Sequence, residues 1–487
     1  MKLMDLLTGI EHADMFDAAK LNTDVKRLIS NSQEAQEGDL FVAIKGDHFD
    51  GHDFLNYVAS KGVEVVIVEE PALVRSEIMQ IKVKDTRRAL SILARNFYND
   101  PSGDIRLIGI TGTNGKTTVS YLIESILREA QIDTGRIGTI DYRIGDKMLE
   151  GRYTTPDVLT LNSLLSKMVE QNIPYCIMEV SSHGLEQGRV MDLKFNSAVF
   201  TNLSHEHLDY HKTLDAYLNA KLKLFEGLES SAYAVVNKDT PYLDDFVSRI
   251  KSDLITYGME SNADITARDL KIGSNGSKVT VCTPQGPINI RTSLVGRHNI
   301  YNILAAAAAA VKERLNADVM KRGIENLKLI PGRMEAIDCG QGFNVFVDYA
   351  HTEDALRNVL STLRTINGNN KLILVFGCGG DRDKAKRPKM GKVAAELADF
   401  TIITSDNPRS EDPAVIAKEI KEGFKGTKAK HVVVLDRFKA IEKAVAAADN
   451  DMAVLIAGKG HEKQQIFRDR IIPFDDRQVV REILRKL

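Results

Sequence analysis

Short apolar runs separated by polar and glycine-rich connections recur along the chain, and they predict alternating strands and helices. Asp39–Ile44 and Val63–Val68 read as strands, with a loop over Gly46–Gly51 and a helix over Phe54–Ser60 between them. Asn99-Asp-Pro-Ser-Gly103 is a turn cluster and a natural boundary. Ile105–Thr111 is a further apolar strand. Beyond a glycine-rich loop, Val119, Leu122, Ile123, Ile126 and Leu127 follow the spacing of one helix face over 117–130. Tyr175–Val180, Ser197–Thr201 and Ala232–Asn237 extend the strand series, and Asp264–Thr292 reads as β-rich. The alanines Ala305–Ala310 predict a closely packed helix.

From Pro331 onward the pattern renews itself. Asn344–Val347, Leu372–Phe376, Phe400–Thr404, Val432–Leu435 and Ala453–Ile456 are strands, most of them separated by helical stretches. That alternation predicts an α/β chain whose mostly parallel sheets are covered by helices. Three domains are expected: a small α/β N-terminal domain over 1–103, a central phosphate-loop domain with a parallel sheet over 104–330, and a Rossmann-like α/β domain over 331–487. Ligands of such sheets sit beyond the strand C-termini. Polar clusters fall there, at Asp348–His351, Gly377–Arg382, Ser405–Arg409 and Gly458–Glu462.

Composition narrows the class. A length of 487 residues suits about three domains. The 65 basic and 67 acidic residues give a net charge of −2, which argues against a protein built to grip nucleic acid. The apolar stretch Ile303–Val311 stops at Lys312, far short of the ~18 residues of a bilayer span. The acidic start is unlike a secretory signal. Cys176, Cys282, Cys339 and Cys378 are too scattered for a Cys-x-x-Cys zinc site or a disulfide framework. A soluble cytoplasmic monomer with no nucleic-acid partner and no membrane insertion is the expectation.

The strongest chemical signal is Gly109-Ile-Thr-Gly-Thr-Asn-Gly-Lys-Thr-Thr118. Its glycines allow backbone N–H groups to turn around phosphate oxygens, and the following helix adds its positive end. Lys116 can neutralise β/γ-phosphate charge, and the Thr117 hydroxyl can reach Mg²⁺. Ile110 stands where the usual spelling has its first glycine. ATP or GTP binding follows from this loop; what the phosphate drives does not.

Glu179 ends an apolar strand, and Asn202-Leu-Ser-His-Glu-His-Leu-Asp-Tyr-His211 follows. By spacing alone, His205, His207, Asp209 and His211 fit a zinc hydrolase or a polar loop equally well. The phosphate loop favours a hard-oxygen Mg²⁺ site using Glu179 with one histidine.

Thr111–Thr118, Met178-Glu-Val-Ser-Ser-His-Gly184, Asn202–His211, Gly296-Arg-His-Asn299 with Asn302, Pro331-Gly-Arg-Met-Glu335 and Val347-Asp-Tyr-Ala-His351 together resemble the Mur ligase family in order and spacing. Asp406-Asn-Pro-Arg409 resembles the selection motif of its diaminopimelate-adding subgroup. The resemblance implies that Gly112, Thr113, Asn114, Gly115, Lys116, Thr117 and Thr118 hold ATP phosphates. It implies Thr117, Glu179, His207 and a carbamylated Lys221 as Mg²⁺ ligands, although Lys221 by itself reads as an exposed helix lysine. Lys116, Glu179, His207 and Lys221 form the implied catalytic set. His298, Asn299 and Asn302 match nucleotide contacts, Arg333 a γ-phosphate contact and Asp348 a ribose contact. Ser30, Ser32, Thr154, Thr155, Ser181, Gln187 and Arg189 match positions binding UDP-N-acetylmuramoyl-L-alanyl-D-glutamate, which places UDP recognition partly in the N-terminal domain. Arg382, Asp406, Asn407, Pro408, Arg409, Gly458 and Glu462 match a meso-diaminopimelate pocket. Asn31-Ser32-Gln33 departs from the family's Asp-Ser-Arg, and Glu353 replaces a proline.

The implied reaction is amide formation through an acyl phosphate, in peptidoglycan synthesis. A lysine-adding ligase of the same subgroup and a folylpolyglutamate-synthase-like ligase are the enzyme alternatives. A nucleotide-dependent switch without ligase chemistry is the alternative from another class.

Overall fold

The computed structural model describes residues 1–15, 21–46, 49–74, 78–273 and 276–486. Asp47 and His48 of the expected Gly46–Gly51 loop lie outside the described residues. The chain forms two compact units: Met1–Gly109 with Asp133–Asn196 and Gly227–Glu229, and Ile110–Ile132 with Ser197–Glu226 and Ser230–Leu487.

In the first unit, Arg27–Ile29, Asp39–Val42, Val65–Val68 and Met79–Val83 pair in parallel, and His12–Met15 joins the last of these antiparallel. Val65-Val-Ile-Val68 is buried throughout because helices cover both faces. Leu40, Val42, Val65, Ile67 and Ile81 pack on the side of helix Thr86–Phe97. Phe41, Ala43, Val66 and Val68 face the other way, towards Leu55 and Val58 of helix Leu55–Ser60. The same unit holds the parallel pair Thr134–Ile137 and Tyr175–Glu179, continued antiparallel by Asp141–Ile144 and Lys147–Glu150.

Within the second unit, Ser197–Phe200, Tyr233–Asn237 and Asp253–Tyr257 run parallel. The helix after the glycine-rich loop spans Lys116–Glu129 and buries the five apolar residues expected of it. Ala305–Ala310 are buried in helix Arg297–Lys312, which packs on Lys116–Glu129. Helix Ala317–Asn326 comes closer still: a Cβ at Gly323 would sit 2.5 Å from the Ile126 Cα. The β-rich stretch resolves into the antiparallel strands Thr266–Gly273, Gly276–Thr283 and Gly286–Thr292.

The remaining sheet of this unit has the order Glu335–Ala336, Asn344–Asp348, Ala453–Ala457, Leu372–Phe376, Phe400–Ile403, Lys430–Val433. All neighbours are parallel except the first pair. Leu372, Leu374 and Phe376 point into one apolar layer, Ile373 and Val375 into the other. The last strand is displaced from the predicted Val432–Leu435, because an edge strand lacks the continuous apolar run that marks a central one.

A buried ion pair ties this sheet to the loops at its C-terminal edge. Arg437 donates from Nε to Asp476 Oδ1 at 2.8 Å and from Nη2 to Oδ2 at 2.7 Å. Its remaining capacity goes to the carbonyls of Ala457 at 2.9 Å and Ser405 at 3.2 Å. Replacing Arg437 with methionine strands a buried carboxylate and should cost ~3–5 kcal/mol, read as a lower urea midpoint for this part of the chain. The double change Arg437→Met with Asp476→Leu should recover much of that loss. A single variant as stable as wild type would contradict the assignment.

Candidate active site

The phosphate loop is built by close approach. Gly112 has φ 147°, and a Cβ there would lie 1.9 Å from Thr201 Oγ1; Gly115 has φ 89°, and a Cβ would lie 2.4 Å from Asn302 Oδ1. Only glycine meets both demands. Asn202 laces the loop in place, accepting from Asn114 N at 3.0 Å through its side chain and from Thr113 N at 2.8 Å through its carbonyl. Thr201 Oγ1 donates to Asn114 O at 2.6 Å. The Lys116 ammonium curls over the loop to the carbonyls of Gly112 and Thr113, at 2.8 and 2.9 Å.

Beside the loop lies a cavity of about 380 Å³. Asn114, Gly115, Thr118, His298, Asn299, Asn302, Arg333 and Asp348 all line it, so the structure gathers most of the expected nucleotide residues. Asn299 donates to Val295 O at 2.8 Å and receives Asn302 Nδ2 at 3.1 Å. Arg333 stacks over Tyr349 and donates from Nη2 to Thr117 Oγ1 at 3.2 Å. Its Nε is buried and has no hydrogen-bond partner among the described residues. Asp348 accepts from Met334 N at 2.6 Å and Ala350 N at 2.7 Å; burial raises its carboxyl, against the pull of Arg333.

Glu206 is the residue that sequence reasoning passed over. It sits inside the His-Glu-His run, where its histidine neighbours drew the attention. His351 Nε2 lies 3.0 Å from one of its oxygens and His207 Nε2 3.7 Å from the other. Burial raises its carboxyl, but His207, His351 and Lys116 outweigh that and hold it well below the usual range. His207 itself adopts a left-handed backbone at φ 56°, a sparsely populated conformation for a residue with a side chain. The zinc alternative gains no support from placement. His211 is buried against Tyr217, while His205 lies 3.9 Å from Asp383. Among the described residues no three His, Cys, Asp or Glu side chains converge as a metal-holding group.

Lys221 corrects the bland expectation of an exposed lysine. Only 1 % of it is exposed, and its amine lies 4.2 Å from the Tyr217 ring centroid. Burial and the charge of Lys116 push the amine well below an ordinary lysine, with Glu206 offsetting part of this. Asp354, Tyr301 and Asp239 were also missed. Asp354 receives Asn114 Nδ2 at 2.9 Å, and Asp239 accepts the Tyr301 hydroxyl at 2.8 Å. Asp354 stands three residues beyond His351, Tyr301 lies between Asn299 and Asn302, and Asp239 follows strand Tyr233–Asn237.

In the first unit, Thr154, Thr155, Ser181, Gln187 and Arg189 come together around the end of strand Tyr175–Glu179. Glu179 is fully buried and accepts from Thr139 N at 3.0 Å and Thr139 Oγ1 at 2.8 Å. That hydroxyl also meets Thr154 Oγ1 at 3.1 Å. Thr155 Oγ1 donates to Glu179 O and accepts from Ser181 N, both at 2.9 Å. Arg189 donates to Thr155 O at 2.7 Å and to Gln187 Oε1 at 2.7 Å. Ser30 and Ser32 lie elsewhere in sequence, after strand Arg27–Ile29, where Asn31 caps a short turn.

Several residues expected of the amino-acid pocket lie together beyond the strand ends of the last sheet. Asn407 Nδ2 donates to Glu462 Oε2 at 2.8 Å, and the buried Lys459 donates to both, at 3.1 and 2.8 Å. Gly458 has φ 110°, and a Cβ there would press on Asp406 Oδ2 at 2.5 Å. Arg409 is half-buried and donates to Gly380 O at 2.8 Å. Arg382, exposed beside it, donates to Asp381 O at 2.8 Å. Neither guanidinium has a carboxylate partner among the described residues; burial and the nearby Arg382 charge both lower the Arg409 value. Glu411, the partner that a merely structural Arg409 would take, instead pairs with Arg387 at 2.9 Å.

A phosphate loop opening on a cavity, with a charged pocket at the edge of a second parallel sheet, defines a nucleotide-dependent α/β enzyme. The chain belongs to the Mur ligase family. The Mur ligase middle domain matches residues 110–310, the Mur ligase glutamate ligase domain 332–460, and the Mur ligase family catalytic domain 25–98. The chain is 42 % identical to UDP-N-acetylmuramoyl-L-alanyl-D-glutamate--2,6-diaminopimelate ligase of Bacillus licheniformis, with 100 % of both covered. The Geobacillus kaustophilus protein of the same name is 41 % identical over the full length of both. A solved structure bearing that enzyme name superposes with a TM-score of 0.70 at 32 % identity, covering 100 % of this chain and 99 % of that one.

His298 yields a pH prediction. Burial pushes its ring from 6.5 down to about 4. The folded protein therefore keeps the neutral ring where the unfolded chain takes a proton. Its contribution to stability is fully present above about pH 6.5 and is lost as pH falls through that value towards 4. The imidazole NMR signal of His298 should titrate near pH 4; a midpoint near 6.5 would refute this.

Proposed function

We propose that this protein is an ATP-dependent ligase that joins meso-2,6-diaminopimelate to UDP-N-acetylmuramoyl-L-alanyl-D-glutamate through an amide bond, in peptidoglycan synthesis. The observation that carries the reading is the pair of guanidiniums, Arg382 and Arg409, left without a carboxylate at the strand-end pocket that also holds Asn407 and Glu462. Diaminopimelate differs from lysine by one distal carboxylate. A planar guanidinium grips such a group bidentately.

The chemistry follows from charge. A carboxylate repels electrons and has no leaving group, so the γ-phosphoryl group of ATP is moved onto it. The amine of diaminopimelate then attacks the acyl carbon; the C–N bond forms, nitrogen loses a proton, and the C–O bond to phosphate breaks so that inorganic phosphate leaves. Lys116 and the open Nε donor of Arg333 suit the negative charge spread over the transferring group. In this reading His298, Asn299, Asn302 and Asp348 hold the nucleoside, and Thr154, Thr155, Ser181, Gln187, Arg189, Ser30 and Ser32 hold the UDP-peptide.

In this proposal Thr117, His207 and a carbamylated Lys221 would hold Mg²⁺, with Glu179 as a further oxygen ligand, and the ion would neutralise phosphate charge. The buried position of Lys221 beside the charge of Lys116 supports the carbamate. A neutral amine adds to carbon dioxide, loses a proton and becomes an anion, which gives Lys116 an attractive partner where a protonated amine would repel it. Domain limits at 103/104 and 330/331, a cytoplasmic location and a monomeric state belong to the same proposal. Among the described residues no helix is long and apolar enough to cross a membrane.

Two measurements test the reading. Arg409→Ala should cost ~2–4 kcal/mol in kcat/KM for diaminopimelate and much less for lysine. Equal losses for both, or a wild type that prefers lysine, would remove the diaminopimelate assignment. Lys221→Ala should be inactive and regain part of its turnover when short carboxylic acids supply an anion. An active alanine variant, together with an unmodified lysine in the intact-mass spectrum, would exclude the carbamate.

A further inference from the structure

The two arginines of the amino-acid pocket stand on different loops, and one carboxylate outside the pocket joins those loops. Glu411 Oε1 accepts from Asp381 N at 2.7 Å and from Arg387 Nη2 at 2.9 Å; its Oε2 accepts from Arg387 Nη1 at 2.9 Å. Arg387 is fully buried and also donates to Gly379 O at 3.1 Å and Glu419 Oε2 at 2.6 Å. The Asp381 carboxylate returns across the gap, accepting from Ser410 Oγ at 2.6 Å and Ser410 N at 3.2 Å. Gly380 N donates to Asn407 O at 2.9 Å, and a Cβ at Gly380 would lie 1.9 Å from Pro408 O. The loops are therefore in backbone contact, with Asp381 and Arg409 both at left-handed φ, 53° and 52°.

This lacing has a consequence for the charges it carries. Arg382 and Arg409 repel each other, and among the described residues neither forms an ion pair. A Cβ at Gly379 would lie 3.0 Å from Arg409 Nη1 and 3.8 Å from Arg382 Cγ, so the two side chains converge on one point. Left to themselves, two like charges on surface loops would move apart. The Arg387–Glu411 pair opposes that from below, since Glu411 holds the Asp381 N–H while Arg387 holds the Gly379 carbonyl. Arg387 keeps the Glu411 carboxyl down at about 2, so the clamp is charged throughout the working pH range.

We infer that Glu411 is a positioning residue for amino-acid selection: acting through Arg387 and Asp381, it fixes the separation of Arg382 and Arg409 so that the pair accepts the second carboxylate of a diamino diacid and gains nothing from a diamino monoacid. The inference rests on the diaminopimelate reading above and adds the part of the scaffold that sets its selectivity. Glu411 touches no substrate in this scheme.

The test is steady-state kinetics of the full-length protein with meso-diaminopimelate and with lysine, at saturating ATP and UDP-peptide. Glu411→Gln keeps the size of the side chain and removes its charge, while Glu419 still neutralises Arg387. The KM for diaminopimelate should rise about tenfold with kcat nearly unchanged, the scale of a small misplacement at a binding site. Lysine kcat/KM should stay within about twofold, so that the selectivity ratio falls about tenfold. Glu411→Asp, which keeps the charge on a shorter arm, should fall between. Ser410→Ala removes the hydroxyl return bond from an exposed residue, leaving the backbone one, and should lower selectivity in the same direction by a smaller factor. It decides the matter should Glu411→Gln fail to fold. Unchanged selectivity in the folded variants, or an equal loss for both amino acids, overturns the inference and leaves the ligase reading intact. A wild type without preference for diaminopimelate overturns both, and that measurement needs no variant.

Discussion

The buried pair of Arg437 and Asp476 is the contact on which the chemistry of the C-terminal sheet depends. A guanidinium taken fully out of water needs a carboxylate and acceptors for its remaining N–H groups. Here those acceptors are the Ser405 and Ala457 carbonyls. Each is the last stretch of backbone before a functional loop, Asp406–Arg409 in one case and Gly458–Glu462 in the other. One side chain thus terminates two parallel strands and aims both loops. Parallel strands lose their ladder partners at their ends, and the loops beyond would otherwise carry unsatisfied carbonyls into a desolvated site.

The same logic recurs with the sign of the charge reversed in its purpose. The Lys116 charge lies near enough to the buried Lys221 amine to disfavour its protonation, and Arg382 and Arg409 are cations converging on one glycine. Holding like charges together costs free energy. Under the function proposed above, anionic substrates, or a carbamate on Lys221, would relieve that cost. The scaffold must bear it in the meantime, which explains why rigid hydrogen-bonded loops surround both places: Asn202 around the phosphate loop, Glu411 and Asp381 around the arginines. Glu206 belongs to the same economy, a carboxylate set among His207, His351 and Lys116.

Strands buried on both faces, the amphipathic helix over Lys116–Glu129 and the phosphate loop were legible in the sequence, because each depends on neighbouring residues only. Apolar runs mark central strands, and Gly112 and Gly115 report backbone conformations that no other residue adopts cheaply. The edge strand Lys430–Val433 was misplaced by two residues at its start and end, since half its side chains face solvent and carry no apolar signature. The motifs named the nucleotide and amino-acid residues as sets, through the likeness to a family, and the cavity and strand-end pocket of the second unit gather most of them.

What local order could not decide is which partner each charge takes. Burial of Lys221 depends on Tyr217 one helical turn away and on the loops packed over both. Glu411 stands next to Ser410 and two residues from Arg409, yet its carboxylate turns from its loop to Arg387 on helix Lys386–Leu397. Arg437 meets Asp476 across ~40 residues of chain. Electrostatic pairing reaches as far as the fold brings groups together, and its strength depends on a solvent exclusion that exists only once the layers have closed. The sequence by itself determined the elements, their order and the chemistry present; the tertiary structure alone decided which charges are buried, which are paired and which are left open for a substrate.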